Sequence, residues 1–129
     1  MTNVFHRNLQ TTFPIAIGGE GLYLLDAQGN RYLDASGGAA ISCLGHQHPI
    51  LVEAIKEQAE KLAYAHTGFF SSEPAELLAD MLVERSPEEI GKVFFVSGGS
   101  EAIESALKLV RQYYWDCGQP RRHKIIARR

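Results

Sequence analysis

The chain has 129 residues, 45% hydrophobic and 22% charged, with 13 basic against 15 acidic side chains for a formal net charge of −2. That balance suits one globular domain with a sizeable core rather than a disordered chain, and it points to neither nucleic acid nor an anionic membrane as partner. No apolar run nears the roughly 20 residues of a spanning helix, no secretory core opens the chain, and the two cysteines, Cys43 and Cys117, lie far apart, so free thiols in a reducing, cytoplasmic setting are expected.

Residues 1–12 are polar and without period and read as a loosely held arm, which Pro14 punctuates. Gly18, Gly19 and Gly21 surround Glu20, but the Gly-x-Gly-x-x-Gly spacing is missing and no Gly-Lys-Ser/Thr follows. The run therefore reads as a turn between strands. Residues 22–25 and 31–33 flank Asp26-Ala27-Gln28-Gly29-Asn30, which predicts a β-hairpin with Gly29 supplying positive φ. Between positions 35 and 45 small residues dominate, Gly37, Gly38, Ala39 and Ala40 among them. Such a stretch fills no core and is expected where another backbone, a subunit or a ligand approaches closely. Cys43-x-x-His46-x-His48 carries zinc-type ligands, yet no fourth ligand is near, so no metal site is expected; the histidines end an extended segment ahead of Pro49.

Residues 49–64 predict an amphipathic helix whose stripe of Leu51, Val52, Ile55, Ala59, Leu62 and Ala63 faces a core. The next eight positions, from Ala65 to Ser72, form a loop signal carrying adjacent aromatics, Phe69 and Phe70. On residue type alone both rings belong in the protein's own core. Ser72 is placed to cap a second helix with Pro74 in its first turn and Leu77, Leu78, Met81 and Leu82 on its buried face. Ser86-x-x-Glu89 has the spacing of a capping box for one more short turn.

Residues 93–96 are a continuous β-branched and aromatic run, the form of a strand buried on both faces in a parallel sheet. Ser97, Gly98 and Gly99 break it, and Ser100 stands where an N-cap belongs, ahead of Ile103, Ala106, Leu107, Val110 and Tyr114 at helical spacing. Gly118 is placed as the C′ residue, with Pro120 beyond it. Residues 124–127 read as a further buried strand, so strand, helix and strand form a right-handed βαβ unit. A strand followed by a glycine turn and a helix N-terminus offers backbone N–H groups and a positive dipole end to an anion. Taken alone, the pattern equally suits a bare tight turn with a capping serine. Arg121, Arg122, Lys124, Arg128 and Arg129 gather five of the 13 basic residues at the end, read as a solvated terminus because no aromatic residue is interleaved to stack on bases.

Phe94-Phe95-Val96-Ser97-Gly98-Gly99-Ser100-Glu101-Ala102 and the helix after it resemble the cofactor-phosphate segment of class III aminotransferases. Three earlier segments resemble the same family in order: Gly21 to Asp26 through Tyr32-Leu33-Asp34, then Leu44-Gly45-His46-Gln47-His48-Pro49, then His66-Thr67-Gly68-Phe69-Phe70. The resemblance covers nearly the whole chain. It implies an α/β protein of the fold-type-I pyridoxal-phosphate-dependent transferases: residues 1–65 would contribute to the small domain, and residues 66–129 would begin the large cofactor-binding domain. It also implies pyridoxal 5′-phosphate held by Gly98, Gly99 and Ser100, with Ser97 and Glu101 in support. Glu101 favours the helix dipole but repels phosphate, so it orients the turn rather than binding. Phe69, Phe70 and Ser71 would lie in a loop at a homodimer interface, and the small-residue segment near the substrate entrance. The partners implied are an amino donor and a 2-oxo acid acceptor.

Two departures qualify the match. Many relatives carry Ser or Thr where this chain has Gly98, which leaves more of the phosphate binding to backbone N–H groups. None of Lys56, Lys61, Lys92, Lys108 and Lys124 sits in the context of the family's Schiff-base lysine, so no catalytic residue is expected here and the chain alone is expected to be inactive. The alternatives are an assembly fragment that needs a complementary chain and a nucleotide- or sugar-phosphate domain. The latter is disfavoured, since no ribose-binding acidic residue follows at the dinucleotide-fold position.

Overall fold

The structure, a computed structural model, describes residues 2–128. Met1, at the head of the expected arm, and Arg129, last of the basic cluster, lie outside the described residues. The chain divides into two units, Met1–Ala65 and His66–Arg129.

In the first unit three strands, β1 (Ala16–Glu20), β2 (Tyr23–Asp26) and β3 (Arg31–Leu33), form an antiparallel sheet in the order β1-β2-β3. Gly18 and Gly19 are not turn residues: they lie in β1, opposite Leu25 and Leu24. The turn is Gly21-Leu22 alone, with Gly21 at φ +54°. The expected hairpin between β2 and β3 forms, pairing Tyr23 with Leu33 and Leu25 with Arg31, and Gly29 has φ +83°.

Asp26 explains the hairpin. Only 2% exposed, its carboxylate accepts four hydrogen bonds: Oδ1 from the Gln28 and Asn30 amides at 2.9 Å each, Oδ2 from Asn30 Nδ2 at 2.9 Å and the Tyr32 hydroxyl at 2.7 Å. An acidic group at the head of a short loop can satisfy the loop's own amides, which is how Asp organises turns. The Asn30 side chain, ahead of the other donors, lowers its pKa from 3.8 to about 2 against the upward push of burial. The hydrogen bond that Tyr32 donates to Asp26 raises the Tyr32 hydroxyl above its ordinary value.

Beyond Asp34 the chain makes a left-handed turn: Gly37, Gly38, Ala39 and Ala40 have φ of +59°, +55°, +58° and +69°. The Ile41 and Ser42 amides close it onto the Gly37 carbonyl at 2.8 and 3.0 Å. Glycine adopts this region freely, whereas an alanine there costs about 1–2 kcal/mol. Helix α1 (Pro49–Lys61) follows with His48 as N-cap and Pro49 as first residue, as expected, and ends before Leu62.

In the second unit α2 (Glu73–Glu84) starts after Ser72 with Pro74 in its first turn. Ser72 makes no side-chain cap; the neighbouring Ser71 hydroxyl donates to Glu76 instead. The capping box at Ser86 does not form, because the Ser86 hydroxyl turns back to the Leu82 carbonyl at 2.8 Å and closes α2. Helix α3 (Gly99–Asp116) ends as expected: Gly118 has φ +72°, and its amide and that of Gln119 return to Trp115 and Tyr114 at 3.0 and 2.8 Å.

Three expectations fail for one reason. Residues 93–96 and 124–127 form no strand, so no βαβ unit closes among the described residues. The core-facing stripes of α1 and α2 are exposed, and no hydrophobic side chain among the described residues is buried. A strand needs a neighbour for its ladder and a helix stripe needs a facing layer. Among the described residues the only strands or helices that contact one another are β1 with β2 and β2 with β3.

Candidate functional site

The turn into α3 is built by glycine. Gly98 is extended at φ −172°, ψ 175°, and its carbonyl accepts the first helical bond from the Ala102 amide at 3.0 Å. Gly98 is therefore the N-cap. Ser100, expected there, is the second residue of the helix, two places beyond the cap, because the helical turn begins at Gly99. The amides of Gly99, Ser100 and Glu101 precede the first intrahelical bond and point out of the positive end of an 18-residue helix. Ser97, Gly99 and Ser100 are exposed and Gly98 is half-buried. A Cβ at Gly99 would meet nothing within 4 Å, so the backbone there is open to an approaching anion.

Glu101 is the competing feature. Its Oε2 lies 2.8 Å from where a Cβ on Gly98 would stand, so the carboxylate curls over the turn. It occupies the positive end of the helix that an anion would take.

Phe69 and Phe70 are 81% and 66% exposed, against the core reading of both rings. Their amides share the His66 carbonyl at 3.0 Å, His66 Nδ1 accepts from the Gly68 amide at 3.0 Å, and the His66 and Phe69 rings meet tilted by 40°, with centroids 5.3 Å apart. The loop thus has a defined shape with two phenyl rings outward.

The Cys43, His46 and His48 spacing brings no ligand set together. His46 Nε2 lies 3.0 Å from Asp34 Oδ2, and the Cys43 thiol donates to the Ala40 carbonyl at 3.2 Å. Among the described residues no three His, Cys, Asp or Glu side chains are placed to hold a metal. Sequence reading missed the role of Asp34; its signal was an acidic residue at a strand end with Ser36, Ser42 and His46 within reach of one loop. It also missed the fold of the basic end: the Arg122 guanidinium stacks 4.0 Å over Tyr114, so an aromatic ring does lie among those charges. No helix among the described residues is long and apolar enough to cross a membrane.

The class-III aminotransferase family model matches residues 4–129. An uncharacterized aminotransferase of Schizosaccharomyces pombe is 43% identical over 116 residues, covering 90% of this chain and 25% of the relative. An acetylornithine aminotransferase of Vibrio vulnificus is 46% identical over 113 residues, 88% of this chain and 27% of the relative. Among solved structures, a PMP-bound aminotransferase from Vibrio fluvialis superposes with a TM-score of 0.88 at 32% identity, covering 98% of this chain and 29% of that one. A PLP-bound mutant form superposes at 0.85. The chain thus spans about a quarter of the length of the relatives it matches. These neighbours have the fold-type-I architecture and bind pyridoxal phosphate or its amine form. The family model spans nearly the whole chain, and the chain belongs to the class III aminotransferase family.

Proposed function

We propose that the chain serves pyridoxal-phosphate-dependent transamination, the transfer of an amino group from an ω-amine or amino acid to a 2-oxo acid, and that it supplies the seat for the cofactor's phosphate. The observation that carries the reading is the α3 N-terminus. Three leading amides, at Gly99, Ser100 and Glu101, open the helix at a point where two successive residues, Gly98 and Gly99, carry no side chain. The cofactor, when bound, supplies the electron sink for moving the amino group. What this chain's residues do is bind and orient. The three amides donate to phosphate oxygens, the Ser100 hydroxyl adds a fourth donor, the helix dipole opposes the phosphate charge, and Glu101 withdraws.

The energetics favour weak binding by the chain alone. Charge-assisted hydrogen bonds contribute about 1.5–3 kcal/mol each and the dipole up to ~2, largely offset by an association cost of roughly 4–15 kcal/mol. None of the five lysines matches the family's cofactor lysine, so the chain alone binds without turning over. The exposed Phe69 and Phe70 loop with Ser71 is the proposed contact to a second subunit, since adjacent outward rings are what an interface anchor requires. Both cysteines are free and exposed, which suits a reducing cytoplasm.

A second reading is favoured by the open apolar faces of α1 and α2: an assembly fragment that acts only on meeting a complementary chain. Hydrogen exchange at residues 97–101 during addition of pyridoxal phosphate separates the two. Saturable protection is expected, absent with phosphate-free pyridoxal and abolished by Gly99→Asp, with no covalent adduct on any lysine by mass spectrometry. Absence of protection would leave the assembly reading, and an adduct on one lysine would mean the cofactor lysine has been misassigned.

A further inference from the structure

The loop between Asp34 and His46 is pinned to the sheet at both ends. The Asp34 amide donates to the Leu22 carbonyl at 2.9 Å, and the His46 amide to the Gly21 carbonyl at 2.7 Å. The second attachment is intimate. The His46 ring lies over Gly19, where a Cβ would stand 2.6 Å from His46 Cβ, and a Cβ on Gly45 would stand 2.7 Å from the Gly21 oxygen. Between these anchors lies the left-handed turn with Ala39 and Ala40 at φ +58° and +69°, a region alanine disfavours.

One carboxylate grips both sides of the turn. Asp34 Oδ1 accepts from the Gly37 amide at 3.1 Å and the Ser36 hydroxyl at 3.2 Å, before and at the start of the turn. Oδ2 accepts from the Ser42 hydroxyl at 2.6 Å and lies 3.0 Å from His46 Nε2, both after it. The Asp34 and His46 side chains are only 13% and 22% exposed, so the bonds from Gly37, Ser42 and His46 are partly shielded from competing water, while that from Ser36 is exposed. His46 is the titratable group facing the carboxylate; its other neighbours are the two hydroxyls and the amide. We propose that Asp34 is a positioning residue whose ionised carboxylate holds residues 35–46 in a strained left-handed form, and that loss of its charge releases the turn. Consistent with this, the Ser42 hydroxyl, with the Gly37 amide, Ser36 and His46 behind it, holds the Asp34 carboxyl below its ordinary range against burial.

Hydrogen exchange by NMR at the Ile41 and Ser42 amides, which close the turn, tests the clamp on the full chain. In Asp34→Asn, protection at these amides is expected to fall about tenfold, the loss of roughly one charge-assisted bond. Protection in the β1–β2 ladder should stay unchanged. Adding Ala39→Gly and Ala40→Gly to Asp34→Asn should restore at least about threefold, because glycine accepts positive φ. Wild-type protection, corrected for intrinsic exchange, should fall on acidification as Asp34 protonates and should be flat over that range in Asp34→Asn. Unchanged protection in Asp34→Asn, or no rescue by the glycine pair, would overturn the clamp. Should Asp34→Asn unfold the sheet, the glycine pair alone decides: higher protection than wild type supports a strained turn, and equal or lower protection refutes it.

Discussion

Asp26 shows how much one side chain settles in this chain. Four donors converge on a nearly buried carboxylate, and they are supplied by residues two to six positions away. The hairpin was legible because that information is local: an acidic loop head, a glycine for positive φ, and flanking β-formers. The consequence for pH follows from the sign of the shift. The folded pKa, about 2, lies below the ordinary 3.8, so the unfolded hairpin binds more protons in that window. The stabilisation is complete above about 3.8 and is lost as pH falls through about 2. The Gln28 and Asn30 amide resonances should titrate with a midpoint near 2, and Asn30→Ala should move it up toward 3.8 by removing the largest stabiliser of the anion. A midpoint unchanged by Asn30→Ala would contradict that assignment. Gly19 teaches the reverse. Its place in β1 beneath the His46 ring was illegible, since the reason lies 27 positions along the chain.

Helix α3 carries both of the element's lessons. Its C-terminus is coded by neighbours in sequence, Gly118 and Pro120, and forms as read. Replacing Gly118 with Ala sets a Cβ at φ +72° and should cost about 1 kcal/mol, seen as roughly fivefold faster exchange of the Gly118 and Gln119 amides. No change in exchange would mean that the cap is not what ends the helix. The N-terminus is shifted by two residues from the Ser100 cap read in the sequence, because Gly98 reaches an extended conformation that hands the first carbonyl to Ala102. The flanking segments, residues 93–96 and 124–127, mark the limit of local information. A run such as residues 93–96 states that it wants a sheet and cannot state which strand lies beside it. The same holds for the Leu77, Leu78, Met81 and Leu82 face of α2, whose periodicity reads cleanly while its partner layer is not encoded there.

For the molecule as a whole, the large exposed apolar surface is the dominant physical fact. No hydrophobic residue among those described is buried, and the chain covers 25–29% of its relatives. Exposed patches of that kind mark interaction surfaces, so the apolar faces and the Phe69–Phe70 loop belong to one problem: what they pack against when the protein works. The candidate phosphate seat is separable from it, since backbone amides at a helix N-terminus need no second layer to attract an anion. The central claim is that this seat binds phosphate and that Glu101 competes for it. The most direct measurement is a phosphorus NMR titration of pyridoxal phosphate with wild type, Gly99→Asp and Glu101→Gln. Binding should tighten roughly two- to fivefold in Glu101→Gln, by relief of an exposed like-charge contact, and vanish in Gly99→Asp. Undiminished binding by Gly99→Asp, or weaker binding by Glu101→Gln, would contradict the account.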